Sequence, residues 1–298
     1  MSTRVLLTGA SGFVGHFMAR VLLERGYEVH GLQRGTGLNL PAEVRPLPVD
    51  LDDPASIIEL PRSWDWVVHL AGASIPSAFT TTAPVLTNLR ITLNLLEHLQ
   101  EARVLLVSSC HVYAPRDLPH SEDDLIIPQG RYGLSKHLVE QLVPHYFHKL
   151  DLRVARPFNH LGPGQRPELV VPSLLRRLRA SREDAGPILM HGMDSVRDFI
   201  DVRDVVSAYL AILDLEAPRN RTFNVCTGQG RRISEVVDLI QDLVGSKRKV
   251  DFEGSPNSSD DIPVMIGSPK RLKLETGWSP RFELKDSLHA MHHESLGS

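Results

Sequence analysis

The chain opens on a strand-like run, Arg4-Val-Leu-Leu-Thr8, that passes at once into Gly9-Ala-Ser-Gly12-Phe-Val-Gly15 and a helix-like stretch over Phe13–Arg25. Few folds accept that order. Glycines three apart between a strand and a helix ask for a tight turn at Gly9 and open backbone at Gly12. At Gly15 they ask for a helix lying close against the strand. A helix beginning there aims its free N–H groups over the turn, an environment that suits a phosphate. A plain tight turn is the alternative. The position of the pattern, directly after a first strand, is the context that gives it meaning.

The first half continues the alternation. Apolar runs rich in β-branched residues recur at Glu28–Leu32, Val44–Val49, Trp66–Leu70, Val104–Ser108 and Leu152–Ala155, with helix-like segments at Val85–Gln100 and Tyr132–Leu150. Strand–helix alternation predicts a parallel sheet covered on both faces, and near-continuous runs such as Val104-Leu-Leu-Val107 fit strands buried on both sides. After Gly162-Pro-Gly164 the pattern loosens. A basic helix-like stretch spans Leu174–Arg182, short strand candidates lie at Ile188–His191 and Thr222–Cys226, and helices are expected at Val202–Leu215, Ile233–Val244 and Leu284–Glu294. The reading is a sheet domain over residues 1–161, with segments returning from the second half, and a smaller, less regular part over residues 162–298.

The 298 residues carry a formal charge of −3, which gives no reason to expect nucleic acid or an anionic membrane as partner. No apolar run is long enough to span a bilayer, and the first residues lack the anatomy of a signal peptide. The only cysteines, Cys110 and Cys226, sit in apolar contexts and read as reduced thiols, so a cytoplasmic protein is expected.

Two stretches carry chemistry. Tyr132 and Lys136 are four apart, on one face of a helix. A phenol that titrates near ~10 is brought into acid–base range by a neighbouring ammonium, which is the expectation for this pair. The stretch Val107-Ser-Ser-Cys-His-Val-Tyr-Ala114 begins as a buried strand and ends on Ser109, Cys110 and His111, polar groups at a strand end.

The GxxGxxG spacing together with Tyr132-Gly-Leu-Ser-Lys136, His69-Leu-Ala-Gly72, the helix carrying Asn88, Arg156-Pro-Phe-Asn159 and Arg197-Asp-Phe-Ile-Asp201 resembles the extended short-chain dehydrogenase/reductase family, the nucleotide-sugar epimerases, dehydratases and reductases. The resemblance implies an α/β fold, a Rossmann-like doubly wound parallel sheet with a smaller C-terminal substrate-binding α/β domain. It implies catalysis by Ser109, Tyr132 and Lys136, in a homodimer formed by the helices carrying Asn88 and Tyr132. It assigns cofactor contacts to Gly9, Ser11, Gly12, Phe13, Val14, Gly15, Gln33, Arg34, Asp50, Leu51, Leu70, Ala71, Gly72, Asn88, Tyr132, Lys136, Arg156 and Pro157. Substrate contacts fall to Ser109, Cys110, His111, Asn159, Val170, Arg176 and Arg197. Arg197 is expected on a diphosphate, with a salt bridge to Asp198 or Asp201 as the alternative. For Arg176 and its neighbour Arg177, a solvated helix face is favoured.

Many NAD-binding relatives carry an acidic residue where the second strand here ends Gly31-Leu-Gln-Arg34. Without that carboxylate nothing repels a 2′-phosphate, and Arg34 is placed to pair with it, so NADP(H) is favoured over NAD(H). Asp50 reads either as an adenine contact or as a helix N-cap.

Cys110 and His111 fall where the 4,6-dehydratases of this family carry a carboxylate pair, so the stretch argues against dehydration and leaves hydride transfer at a carbonyl. Cys110 reads as a space-filling residue. His111 is held open between a wall residue and a proton-transfer group. The second half, with Ala155-Arg-Pro-Phe-Asn-His-Leu-Gly-Pro-Gly-Gln165, Asn224-Val-Cys-Thr-Gly228 and Ile262-Pro-Val-Met-Ile-Gly267, looks like the GDP-sugar branch, the GDP-4-keto-6-deoxy-D-mannose reductases. It departs from that branch at Ser258-Ser-Asp260, where an Arg-Pro pair is usual. The expectation is an NADP(H)-dependent reductase of a nucleoside-diphosphate 4-keto-6-deoxy sugar. The alternatives are an epimerase with tightly held NAD, a dehydratase using His111 and Cys110, and a non-enzymatic NADP(H)-sensing regulator. His289, His292 and His293 share a helix face that reads as exposed, and no metal is expected.

Overall fold

The computed structural model describes residues 2–34, 39–75, 78–146, 148–180, 186–191, 194–216, 220–253 and 262–297. In the first half the strands are β1 (Arg4–Thr8), β2 (Glu28–Leu32), β3 (Arg45–Leu47), β4 (Ser63–His69), β5 (Glu101–Val107) and β6 (Asp151–Pro157). Between them lie helices α1 (Phe13–Glu24), α2 (Pro54–Ile57), α3 (Ala83–His98) and α4 (Gly130–Leu142). The second half supplies β7 (Asn159–Leu161), α5 (Val170–Arg179), β8 (Ile188–His191), β9 (Val196–Asp201), α6 (Val202–Asp214), β10 (Thr222–Val225), β11 (Gly230–Arg232), α7 (Ile233–Val244), β12 (Val250–Glu253), β13 (Val264–Met265), α8 (Lys270–Thr276) and α9 (Leu284–Gly297).

Seven strands form one parallel sheet in the order β10-β6-β5-β4-β1-β2-β3. This is the expected Rossmann-like sheet. Its central strands β1, β4 and β5 are buried on both faces because their middle residues are apolar: Val5 to Leu7, Val67, Val68 and Val104 to Leu106 are essentially inaccessible. One core, with Met18, Leu22, Val205, Tyr209 and Phe223, fills the side covered by α1 and α6; a second, with Ile91, Leu95, Leu96 and Leu152, fills the α3 side. The strand order reverses between β1 and β4, and ligands bind such sheets in the crevice beyond the strand ends at that point.

β10 comes from the second half and pairs with β6, Thr222 opposite Val154 through Val225 opposite Pro157. Two smaller sheets stand beside the large one. β9 is flanked by β11 and β13 and also pairs with β7; β8 pairs with β12. A third core of Leu174, Leu175, Leu178, Val236, Ile240 and Leu288 joins α5, α7 and α9.

The helix expected to run from Tyr132 to Leu150 is shorter. It starts at Gly130, ends at Leu142 and tightens into a 3-10 turn over Val143–Tyr146. Pro144 lacks the N–H that would continue the ladder, which accounts for the stop. Asp50 is not a helix N-cap. Asp53 is, accepting from the Ala55 N–H at 3.0 Å, while Asp50 accepts from the Asp52 N–H at 2.9 Å.

Candidate functional site

At the first turn Gly9 has φ 70° and its carbonyl accepts from the Gly12 N–H at 2.9 Å. A Cβ on Gly15 would collide with that carbonyl oxygen and lie 2.9 Å from the Ala10 backbone, so α1 packs against the turn only because residue 15 is glycine. Gly12 caps α1 with no side chain over the first-turn N–H groups. Ser11 is exposed, and Phe13 and Val14 are half-buried at the same mouth. This cradle fits a pyrophosphate.

Beyond β2, Gln33 is half-buried and Arg34 exposed. Arg90 on α3 grips Asp52 with both nitrogens, the second at 2.8 Å, and Asn94 donates to the Leu51 carbonyl at 2.8 Å. The Arg90 hydrogen bond, with smaller contributions from the Arg90 and Arg34 charges, holds the Asp52 carboxyl below its usual range. The loop carrying Asp50 and Leu51 is thereby fastened to α3, with Leu51 buried in the second core.

After β4, Leu70, Ala71 and Gly72 run beneath the same crevice. Their course is set by a fully assigned hydrogen-bond chain. The Ala71 N–H donates to Thr8 Oγ1 at 3.0 Å, and the Thr92 hydroxyl donates to the Asn88 carbonyl at 2.9 Å. The Thr8 hydroxyl therefore donates to His69 Nδ1 at 2.9 Å, and His69 Nε2–H donates to Thr92 Oγ1 at 3.0 Å. Burial, helped by the Lys136 charge, lowers the His69 pKa to about 3. Asn88, expected as a cofactor contact, is turned inward. Its Oδ1 accepts from the Ala73 N–H at 2.8 Å, and its Nδ2 donates to the Ala73 carbonyl at 3.0 Å and to Ser135 Oγ at 3.2 Å.

Ser109 ends the strand segment and caps a 3-10 turn over Cys110–Val112, accepting from the His111 N–H at 3.2 Å. Gly133 lets α4 close on this turn, since a Cβ there would run into the His111 carbonyl. That contact sets Tyr132 beside Ser109, with the ring edge-on between Phe79 at 5.4 Å and His111 at 5.5 Å. Lys136 lies one turn further on, its ammonium donating to the Val107 carbonyl at 2.9 Å. Burial lowers the Lys136 pKa to about 8, against the opposing pull of Glu140. The expectation that this ammonium lowers the phenol is not met in the chain without ligand: burial dominates and pushes Tyr132 up to about 12, Ser109 opposing. The phenol is protonated at neutral pH.

His111 Nδ1 lies 3.1 Å from Ser109 Oγ and 3.7 Å from Cys110 Sγ. Burial, helped by the Arg197 charge, lowers His111 to about 4, and burial raises the Cys110 thiol to about 12. Both are neutral near pH 7.

Arg197 faces this pair from β9. The carboxylates named as its alternative partners are engaged elsewhere. Asp198 accepts from Thr227, from the Gly228 N–H at 2.8 Å and from the Gly267 N–H at 3.3 Å; Asp201 binds Arg203 and Ser287. Asn159 begins β7 with its buried Oδ1 lacking a hydrogen-bond partner. Val170 is 55% exposed at the start of α5, and Arg176 and Arg177 are exposed on the face away from Leu174 and Leu178. Ser258, Ser259 and Asp260 lie outside the described residues.

Arg156, expected at the cofactor, is a buried structural clamp. It donates to both Glu140 oxygens at 2.9 and 2.6 Å, to Tyr113 Oη at 2.9 Å and to the Glu122 carbonyl at 3.1 Å. Tyr113 in turn donates to Asn224 Oδ1 at 2.6 Å. Pro157 is buried at the end of β6. The sequence reading did not single out Glu140, although it sits four residues past Lys136 on the same helix face. His69 entered only within a quoted motif.

The NAD dependent epimerase/dehydratase family matches over residues 5–226. The chain belongs to this family. It is an NAD(P)-dependent nucleotide-sugar enzyme of the short-chain dehydrogenase type. It is similar to the GDP-6-deoxy-D-mannose reductase of Pseudomonas aeruginosa, 34% identical over 98% of this chain and 96% of that one. It is also similar to the GDP-6-deoxy-D-talose 4-dehydrogenase of Aggregatibacter actinomycetemcomitans, 29% identical over 94% and 93%. Among solved structures, that of RMD from Pseudomonas aeruginosa complexed with NADPH superposes with a TM-score of 0.84 at 32% identity, covering 100% of both chains. No helix among the described residues is long and apolar enough to cross a membrane.

Proposed function

We propose that the protein is an NADP(H)-dependent reductase that converts the C4 ketone of a nucleoside-diphosphate 4-keto-6-deoxy sugar, GDP-4-keto-6-deoxymannose in the first instance, to an alcohol. The observation that carries this reading is the state of the side chains around Tyr132. Ser109, Tyr132 and Lys136 meet at one strand end, while burial makes His111 too weak a base to remove a C5 proton readily and Cys110 too weak an acid to help expel a hydroxyl, as a dehydratase requires. The similarity to a GDP-6-deoxy-D-mannose reductase supports the substrate class, and the NADPH-bound relative supports the cofactor.

NADP(H), when bound, supplies the hydride to C4. Residues of the glycine turn hold its pyrophosphate, Arg34 meets the 2′-phosphate, and Lys136, anchored on the Val107 carbonyl, reaches the nicotinamide ribose. Tyr132 is a phenol rather than a phenolate near neutral pH, the correct state to donate a proton to O4 as the carbonyl becomes an alcohol. Ser109 hydrogen-bonds the same oxygen and orients the ketone. Arg197 pairs with the substrate diphosphate, and the unpartnered Asn159 Oδ1 accepts from the sugar. Fixing donor and ketone face to face supplies much of the acceleration. A homodimer through α3 and α4 is part of this reading, supported by Leu86, 56% exposed, and Leu134, 39% exposed, on those helices.

The test is to mix the protein with NADPH and GDP-4-keto-6-deoxymannose made in place by a separate dehydratase and to follow nicotinamide absorbance. Loss of NADPH with a new deoxyhexose product is expected. Tyr132→Phe should abolish it while cofactor binding persists. Turnover unchanged in that variant would sink the mechanism. Bound NAD with no net NADPH consumption would replace the reductase by an epimerase.

A further inference from the structure

β11 runs antiparallel to β9, and the register sets Arg231 directly opposite Arg197, flanked by the pairs Gly230–Asp198 and Arg232–Val196. Residues directly opposed on an antiparallel ladder project from the same face with Cβ atoms ~4.5–5.5 Å apart. Arg197 identifies that face, because its charge, and not that of Asp198, bears on His111 beside Ser109. Asp198, one residue on, projects from the opposite face, where Thr227, Gly228 and Gly267 consume its oxygens. Arg232 alternates likewise to the far face, its guanidinium 3.6 Å from the exposed Asp194.

Two arginines side by side on a ladder repel, and like charges so placed destabilise a sheet. Glu235 does little to offset this. It lies 3.9 Å from Arg231 with both side chains 48% exposed, a long and hydrated pair. An anion laid across both guanidinium groups does offset it, and two planar forks in register suit a group with two phosphoryl centres.

We propose that Arg231 is a second ligand for the substrate diphosphate, acting with Arg197 to select nucleoside diphosphates over monophosphates. This rests on the reading of Arg197 as a diphosphate contact and adds a residue that no catalytic motif of the chain contains.

The test is calorimetric titration of the NADP+-saturated protein with GDP and GMP, with UDP and UMP in parallel because the base plays no part in the argument. The native chain should bind the diphosphates more tightly. Arg231→Gln should weaken diphosphate binding by roughly 10- to 100-fold and monophosphate binding by less than about 3-fold, so that the discrimination collapses. Arg231→Lys should recover part of it, and Arg232→Gln should leave it intact. Unchanged diphosphate affinity in Arg231→Gln, with Arg197→Gln still weakened, would overturn the role of Arg231 and leave the proposed function standing. An equal loss in Arg232→Gln would reduce the effect to surface charge and overturn it too. A native chain that binds no nucleoside diphosphate would remove the nucleotide-sugar reading itself. NADP+ affinity, unchanged in each variant, verifies the fold.

Discussion

Replacing Arg156 by methionine tests whether the buried clamp holds the catalytic helix. The guanidinium side chain is 5% exposed and its Glu140 partner 8% exposed. The change deletes two hydrogen bonds to Glu140, one to Tyr113 and one to the Glu122 carbonyl, and removes a cation lying 4.9 Å over the Tyr113 ring. What remains is a buried carboxylate that has lost its hydrogen-bonded partner and keeps only the weaker attraction of Lys136, one turn away. Removing one partner of such a pair costs about 3–5 kcal/mol, most of it the stranded charge. For a chain of 298 residues that lowers the melting temperature by roughly 5–8 °C. Urea unfolding with an unchanged slope is the assay. The double variant Arg156→Met, Glu140→Leu should regain more than half of the loss, because the stranded carboxylate is then gone. A single variant costing under about 1 kcal/mol, or a double variant no better than the single, would refute the reasoning.

Three further outcomes are expected. Gly15→Ala should abolish NADPH binding, measured by fluorescence titration, since its methyl collides with the Gly9 carbonyl and pushes α1 off the turn; binding within 3-fold of native would refute the close approach. Arg34→Ala should raise the KM for NADPH by roughly 10-fold and leave that for NADH nearly unchanged, as loss of one charge-assisted contact predicts; equal effects on both cofactors would remove the 2′-phosphate role. Stability should fall as pH drops below about 6.5. His69, with a pKa of about 3, and His111 and His120, each about 4, stay neutral in the fold while the same residues protonate when unfolded. Lowered folded values make their contribution complete above the unfolded pKa, and each is lost at about 1.4 kcal/mol per pH unit on the way down. Unfolding free energy measured from pH 7 to 5 checks this, and a flat profile would contradict it.

The large sheet was legible because its strands announce themselves. Arg4–Thr8 and Glu28–Leu32 were read with the observed bounds, and Val104–Ser108 caught the second half of β5. Burial on both faces writes a strand as an unbroken apolar run. Of the smaller sheets only β8, Ile188–His191, was read as a strand, and the rest were not legible for the converse reason. β11 is Gly-Arg-Arg and β7 is Asn-His-Leu, so neither shows apolar alternation, and both exist because β9 offers them a ladder. Within the site, spacing was enough to join Tyr132 to Lys136. It was not enough for Asn88 or Arg156, whose side chains turn inward to Ala73 and Glu140. A motif shows that a polar residue is needed without showing which way it points. The sign of the shift at Tyr132 was missed because a nearby ammonium was weighed and burial was not.

The pairing of β10 with β6 has a consequence for how the chain is made. On a ribosome, β6 is complete at Pro157, but the strand that covers its outer edge begins only at Thr222. At ~5–20 residues per second that gap lasts several seconds. Throughout it the growing chain exposes a strand edge with unsatisfied backbone groups, a template for any other extended segment nearby. Translation speed between those two residues, and any chaperone that masks the edge meanwhile, therefore govern how much of this enzyme reaches its native state.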